Sequence, residues 1–147
     1  MKRLSLLSII LLTIISACKN DDELEVDNAL KQTWVATYFS KSGCDNENNN
    51  FEEDKVCDDE NCLKLTLKAD NTYERKEVIN GVSRIETGDW IIDEEEIRFS
   101  FEEEEEVFYS RRTFTVTATT LTLETLVEST SCLELTEYVV SSDTTGS

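Results

Sequence analysis

The sequence predicts an all-β domain, an eight-stranded antiparallel up-and-down barrel, preceded by a short processed leader. Three observations lead there. After residue 32 the chain is dominated by threonine, valine, isoleucine, leucine and aromatics in short runs that alternate with polar residues, the signature of half-buried strands. Those runs are separated by short turn signals rather than by segments long enough to be crossover helices. With eight consecutive strands and no long crossover, closure on itself is the arrangement that leaves no unpaired edge.

The elements follow in order. Residues 1–17 open with Met1, Lys2 and Arg3 and continue as an apolar run from Leu4 to Ile15. Two positive charges before about a dozen apolar residues make an export signal, too short to span a bilayer as a helix, which needs roughly 20 residues. Residues 18–31 read as an acidic tether to Val26, then a helical turn capped by Asp27. The barrel is expected over 32–140, and 141–147 as a frayed polar tail.

Within the barrel, Thr33 to Phe39 is the first strand and Ser40 to Asn61 a long polar loop. Leu63, Leu65 and Leu67 alternate with Lys64, Thr66 and Lys68 on the second strand. Asp70-Asn71 turns the chain into Tyr73 to Ile79, and Asn80-Gly81 is the preferred pair for a two-residue hairpin. Val82 to Ile92 follows, then Ile97, Phe99 and Phe101, then Val107 to Ala118. Leu121 and Leu123 mark the seventh strand, and Leu133 to Val140 the eighth.

The export segment closes with Ile15-Ser16-Ala17-Cys18. This resembles the lipobox of bacterial lipoproteins, with isoleucine for leucine at its first position. The resemblance implies cleavage before Cys18 and lipid attachment to its thiol, a strong nucleophile as thiolate. Multiple acyl chains hold stably where one holds marginally. The acidic cluster Asp21-Asp22-Glu23 resembles the signal that sends some lipoproteins to the outer face of the outer membrane. The expected location is therefore the outer membrane, lipid-anchored and surface-exposed, with its periplasmic face as the alternative.

Composition sets limits on partners. With 14 basic against 32 acidic residues the formal charge is −18, and loss of Lys2 and Arg3 makes the remaining domain more acidic still. Such a surface repels nucleic acid, whose binding needs lysine and arginine on phosphates, and it suits a cationic protein partner. The absence of histidine removes the usual nucleophilic triads and the commonest metal ligand. No glycine-rich phosphate loop is present, so neither an enzyme nor a cofactor is expected. The loop Asp45-Asn46-Glu47-Asn48-Asn49-Asn50 is rich in the oxygen donors that suit calcium. It departs from a calcium-binding helix–loop–helix pattern at Asn50 and Val56, so no metal is expected.

Besides Cys18 the chain has Cys44, Cys57, Cys62 and Cys132, an even set that suggests two disulfides in an exported protein. Three connectivities are open, with a four-thiolate zinc site as a rival. The favoured pairing is Cys44 with Cys57 inside one loop and Cys62 with Cys132 between an early strand and a late one.

Three segments resemble the lipocalin-like domains of exported bacterial lipoproteins. Thr33-Trp34 opens the first strand as a Gly-x-Trp motif does there, with Gln32 in the glycine position. Leu63 to Tyr73 is similar to a strand, an Asp-Gly-Thr-Tyr turn and a second strand, with Asn71 replacing glycine. Thr87-Gly88-Asp89-Trp90 resembles the Gly-x-Trp before a turn and an apolar strand. The resemblance implies a calyx for a small apolar or amphipathic ligand. Its expected lining is Trp34, Tyr38, Leu65, Trp90, Phe99 and Phe114, with the loop Ser40 to Asn61 over the mouth. The same strand parity turns Arg84, Glu86 and Arg112 inward, so that either a bulge carries these charges outside or the cavity is polar at one end, where Arg84 or Arg112 would hold a ligand carboxylate. A barrel packed solid, acting through its acidic outside, is the alternative.

Overall fold

The structure, a computed structural model, describes residues 21–142, with side chains from residue 25. The expected lipid-attachment residue Cys18, the signal and the last five residues lie outside the described part. One helix, α1 (Asp21–Leu30), precedes nine strands: β1 (Thr33–Ser42), β2 (Phe51–Asp54), β3 (Cys62–Leu67), β4 (Thr72–Ile79), β5 (Val82–Asp93), β6 (Glu96–Glu103), β7 (Glu106–Val116), β8 (Thr120–Val127) and β9 (Cys132–Val140).

Eight of the strands form a closed antiparallel up-and-down barrel. The ladder runs β1-β3-β4-β5-β6-β7-β8-β9, and β9 returns to β1 along nearly its whole length. Closure leaves no free edge in these strands except where β1 and β3 part. They pair only over Thr33–Val35 with Lys64–Thr66. Beyond that point β1 pairs instead with β2, from Tyr38–Asp54 to Lys41–Phe51. β2 is the ninth strand and has β1 as its one partner.

The tight turns fall where the backbone can take a left-handed conformation. Asn71 has φ 64°, so asparagine does there what glycine does in the resembled motif, and Asn80 (51°) and Gly81 (76°) make the expected hairpin. Glu104 (52°) and Glu105 (70°) take the same conformation at the β6–β7 hairpin, where side chains without a stabilising local hydrogen bond are less suited to it.

Two segments differ from the sequence reading. A tether and one turn were expected over 18–31, yet Asp21–Leu30 is a single helix. Val26 and Leu30, four residues apart, share a face on the barrel core, and Lys31 pairs with Asp27. The helix is held by what it packs on rather than by an apolar periodicity of its own. The expected loop Ser40–Asn61 is also more ordered: β1 continues to Ser42, and Glu47–Asn49 makes one 3₁₀ turn before β2.

The core fills the end of the barrel where the chain enters. Leu30, Trp34, Leu67, Ile97 and Leu121 are 0–1% exposed and Trp90 is 1% exposed. Both indoles are anchored by hydrogen bonds: Trp34 Nε1 donates to the Leu30 carbonyl at 3.0 Å, and Trp90 Nε1 to the Lys68 carbonyl at 3.3 Å. Leu30 therefore closes the base as a plug. Gly88 is required in this region. A Cβ there would lie 2.0 Å from the Ser100 carbonyl oxygen and 2.9 Å from the Tyr73 ring. The outward positions carry charges such as Glu74, Lys76, Arg98 and Arg111, where a membrane-spanning barrel would present an apolar band. Among the described residues no helix is long and apolar enough to cross a membrane.

Both disulfides differ from the favoured pairing. Cys44 is bonded to Cys132 and Cys57 to Cys62. The reason is barrel closure. Ser42 faces Leu133 across the β1–β9 ladder, which carries Cys44 to the first residue of β9. Cys57 and Cys62 flank a tight turn in which the Asp58 carboxylate accepts from the backbone N–H groups of Glu60 and Asn61 at 2.9 and 2.7 Å. That turn brings two residues separated by five positions face to face.

Candidate functional site

Above the packed base the barrel opens into a cavity of about 390 Å³. Its mouth lies at the end bearing the β4–β5, β6–β7 and β8–β9 hairpins. The wall is aromatic and aliphatic on several sides: Phe39, Leu63, Leu65, Tyr73, Phe99, Phe101, Leu123 and Tyr138. Tyr73 meets Phe99 edge to face with centroids 5.0 Å apart, a favoured aromatic geometry. β2 overhangs the mouth. Phe51 from β2 lies 5.5 Å from the Phe39 ring, and Lys55, just past β2, sits over the Phe39 ring at 5.8 Å.

This overhang is fastened at both ends. The Cys44–Cys132 disulfide ties its start to β9, reinforced by Asp45 N–H donating to the Thr130 carbonyl and Ser131 Oγ bonding to the Asp45 carboxylate. The Cys57–Cys62 disulfide closes the turn that follows it. The segment expected to cover the mouth does so as a pinned strand.

The cavity also contains charge, and most of it is matched. Lys41 Nζ is 2.9 Å from Glu134 Oε1, and Lys55 Nζ is 2.6 Å from Glu53 Oε2. The Tyr73 hydroxyl donates to Glu86 Oε1 at 2.8 Å, and Arg75 lies 4.0 Å from the other Glu86 oxygen. Burial, and then this bond to a carboxylate, push the Tyr73 hydroxyl well above its ordinary value. Burial also raises Tyr138, whereas the nearby Arg112 and Arg75 guanidiniums pull it down. Arg112 and Glu77 face the cavity and make no hydrogen bond or ion pair among the described residues.

The expected site residues divide into three groups. Leu65, Phe99 and Arg112 line the cavity. Trp34, Trp90 and Phe114 point inward but belong to the packed base beneath it, where the barrel is filled rather than hollow. Tyr38 and Arg84 do not line it. Tyr38 faces outward and donates to Glu52 Oε2 at 3.0 Å. Its parity changes because the β1–β9 register shifts between Ala36 and Tyr38. The bulge at Thr37 turns Phe39 inward, in register with Thr136, and Lys41 in register with Glu134. Arg84 keeps inward parity, opposite Glu77 in the ladder, but is exposed at the rim because β5 projects beyond the cavity there.

The bulge that parity arguments allow near the charged strands thus sits on β1, and Glu86 and Arg112 stay inside. Phe39, Phe101, Tyr73 and Tyr138 were not singled out from sequence. Phe101 could have been, since it shares the alternation of Phe99 on β6, whereas Tyr73, followed on its own face by Arg75 and Glu77, and Phe39 and Tyr138 could not without the closed register and the bulge.

No family model matches the chain, and no curated protein matches it in sequence. Its class rests on architecture: a closed eight-stranded antiparallel up-and-down barrel with one additional strand over an open, partly charged cavity.

Proposed function

We propose that this protein is a lipid-anchored, lipocalin-like binding lipoprotein that holds a small apolar or amphipathic molecule in its barrel. The observation that carries the reading is the cavity. At about 390 Å³ it falls within the size of small-molecule sites, and its mixture of aromatic walls and a few placed polar groups is their usual composition. A barrel serving only as a scaffold would be filled by side chains along its whole length, as this one is at its base. That supports ligand binding over the reading of a solid barrel acting through its acidic outside.

The polarity of the fold fits an anchor at Cys18. The chain enters through α1 at the closed end, and the mouth is at the other. An anchor preceding α1 would hold the closed end toward the membrane and turn the mouth to the surroundings, in keeping with a surface-exposed lipoprotein of the outer membrane. The reading assigns no reaction and no cofactor.

Native mass spectrometry of the processed protein from its own host tests both parts. The expected spectrum shows the lipid-modified mass plus a small molecule that is lost on unfolding. A Cys18→Ala variant is expected to lose the lipid mass and its membrane fractionation while retaining the bound molecule. Repeated recovery of the polypeptide and lipid alone would overturn the binding assignment.

A further inference from the structure

The cavity charges are not evenly matched, and the mismatch has a place. Glu134 is taken by Lys41, Glu53 by Lys55, and Glu86 by the Tyr73 hydroxyl with Arg75 beyond it. Glu77 stands opposite Arg84 in the β4–β5 ladder, so opposite charges neighbour each other toward the rim. Arg112 remains, and it is deep. It pairs in register with Ile97, which is fully buried in the base. Above that base Arg112 and Arg75, and more weakly Glu77, lie within electrostatic reach of the Tyr138 hydroxyl, itself on a side chain only 6% exposed. Thr136, 4% exposed, adds a second hydroxyl on the same strand.

We propose that Arg112, with the Tyr138 hydroxyl and Arg75 beside it, forms an anion subsite at the floor of the cavity for the carboxylate of an amphipathic ligand. The apolar body of that ligand lies along Leu65, Phe99 and Phe101 toward the mouth. A guanidinium facing an apolar cavity needs water or an anion, and a carboxylate satisfies two of its N–H groups at once in a fixed plane. The surroundings select the charge of the head. Of the cations lining the cavity, Arg112 is the one without an ion pair among the described residues, and the carboxylates of Glu77 and Glu86 line the same cavity. A singly charged carboxylate therefore matches the Arg112 guanidinium, while a doubly charged phosphate would leave one negative charge unmatched in a cavity that already holds Glu77 and Glu86. This assignment rests on the binding reading above and adds to it the chemical class and direction of the ligand.

The test compares decanoate with decanol, probes of one chain length that differ in the head, by isothermal titration calorimetry on the full processed protein. In the wild type decanoate is expected to bind about tenfold or more tightly than decanol, the effect of a charge-assisted contact. Arg112→Gln is expected to erase that preference and leave decanol binding in place. Tyr138→Phe, which keeps the ring, is expected to reduce it in part. Arg111→Gln, one residue away on the outer face, is expected to leave it intact. Circular dichroism establishes that each variant is folded, and Tyr138→Phe carries the test should Arg112→Gln not fold. Equal affinity of the two probes in the wild type, or a preference that survives both cavity variants, overturns the anion subsite while leaving the binding function standing. Failure of both probes to bind overturns the binding function, and the subsite with it.

Discussion

The two disulfides enclose loops of very different length, which makes their contributions separable. Cys44 and Cys132 are 88 residues apart, Cys57 and Cys62 only 5. If a crosslink acts by removing loop-closure entropy from the unfolded chain, the long loop contributes about 4.5 kcal/mol at room temperature and the short one about 2 kcal/mol. Replacing Cys44 and Cys132 together by alanine should therefore cost about 2.5 kcal/mol more than replacing Cys57 and Cys62 together. Burial pushes the same way, since Cys132 is 0% and Cys44 6% exposed while Cys57 is at the surface. Urea unfolding followed by tryptophan fluorescence reads the difference, with both indoles in the packed base. At a slope of roughly 1–3 kcal/mol per molar urea, the midpoints of the two double variants should differ by roughly 0.8–2.5 M. Equal midpoints, or a larger loss from the Cys57/Cys62 pair, would refute the entropy argument. Recovery of a peptide linking Cys44 to Cys57 would refute the connectivity itself.

Two further predictions follow from packing and from ionisation. Gly88→Ala places a methyl group against the Ser100 carbonyl, which is backbone and cannot rotate away; a loss of about 3 kcal/mol is expected by urea unfolding, and a loss below about 0.5 kcal/mol would show that β5 and β6 separate freely there. Tyr73 and Tyr138 are both held above the ordinary tyrosine value of 10.0, so the folded state favours their neutral forms. The stability this provides is complete below pH about 10, the unfolded tyrosine value, and is lost as pH rises above it toward the folded values. In an alkaline absorbance titration these two are expected to ionise only together with unfolding. Ionisation of all four tyrosines in a native barrel would contradict that.

The barrel was legible because each of its strands carries its own signal. Leu63, Leu65 and Leu67 alternate with polar residues, and Asn80-Gly81 writes a hairpin into the chain directly. What the sequence left hidden depends on contacts between distant segments. α1 is an acidic stretch that reads as tether, and it is helical where Val26 and Leu30 have a barrel to sit on. The four residues of β2, Phe51-Glu52-Glu53-Asp54, show no alternation of apolar residues. They become a strand because β1 and β3 part and leave β1 with unpaired groups. The bulge at Thr37 has no marker such as glycine, yet it decides that Phe39 rather than Tyr38 reaches the cavity. Cys44 and Cys132 are joined by barrel closure, a relation between first and last strands that spacing does not carry. Alternation turns Arg112, Leu65 and Phe99 inward, and all three line the cavity. How far up the barrel the hollow begins depends on side-chain volumes in three dimensions, so Trp34, Trp90 and Phe114 were assigned to a cavity whose floor they build.

β2 has a consequence for how this protein meets its own copies. It bonds to β1 on one side and exposes its other edge, with all four residues at the surface. An open strand is a template on which a second molecule can extend the sheet. Here three of the four residues that would meet in such a pairing are carboxylates, so two copies approaching along β2 bring like charges together. Where copies are crowded together, this repulsion keeps the overhanging strand from becoming a seam between molecules. Like-charge repulsion thus guards the one strand, among the described residues, that closure of the barrel leaves open along its length.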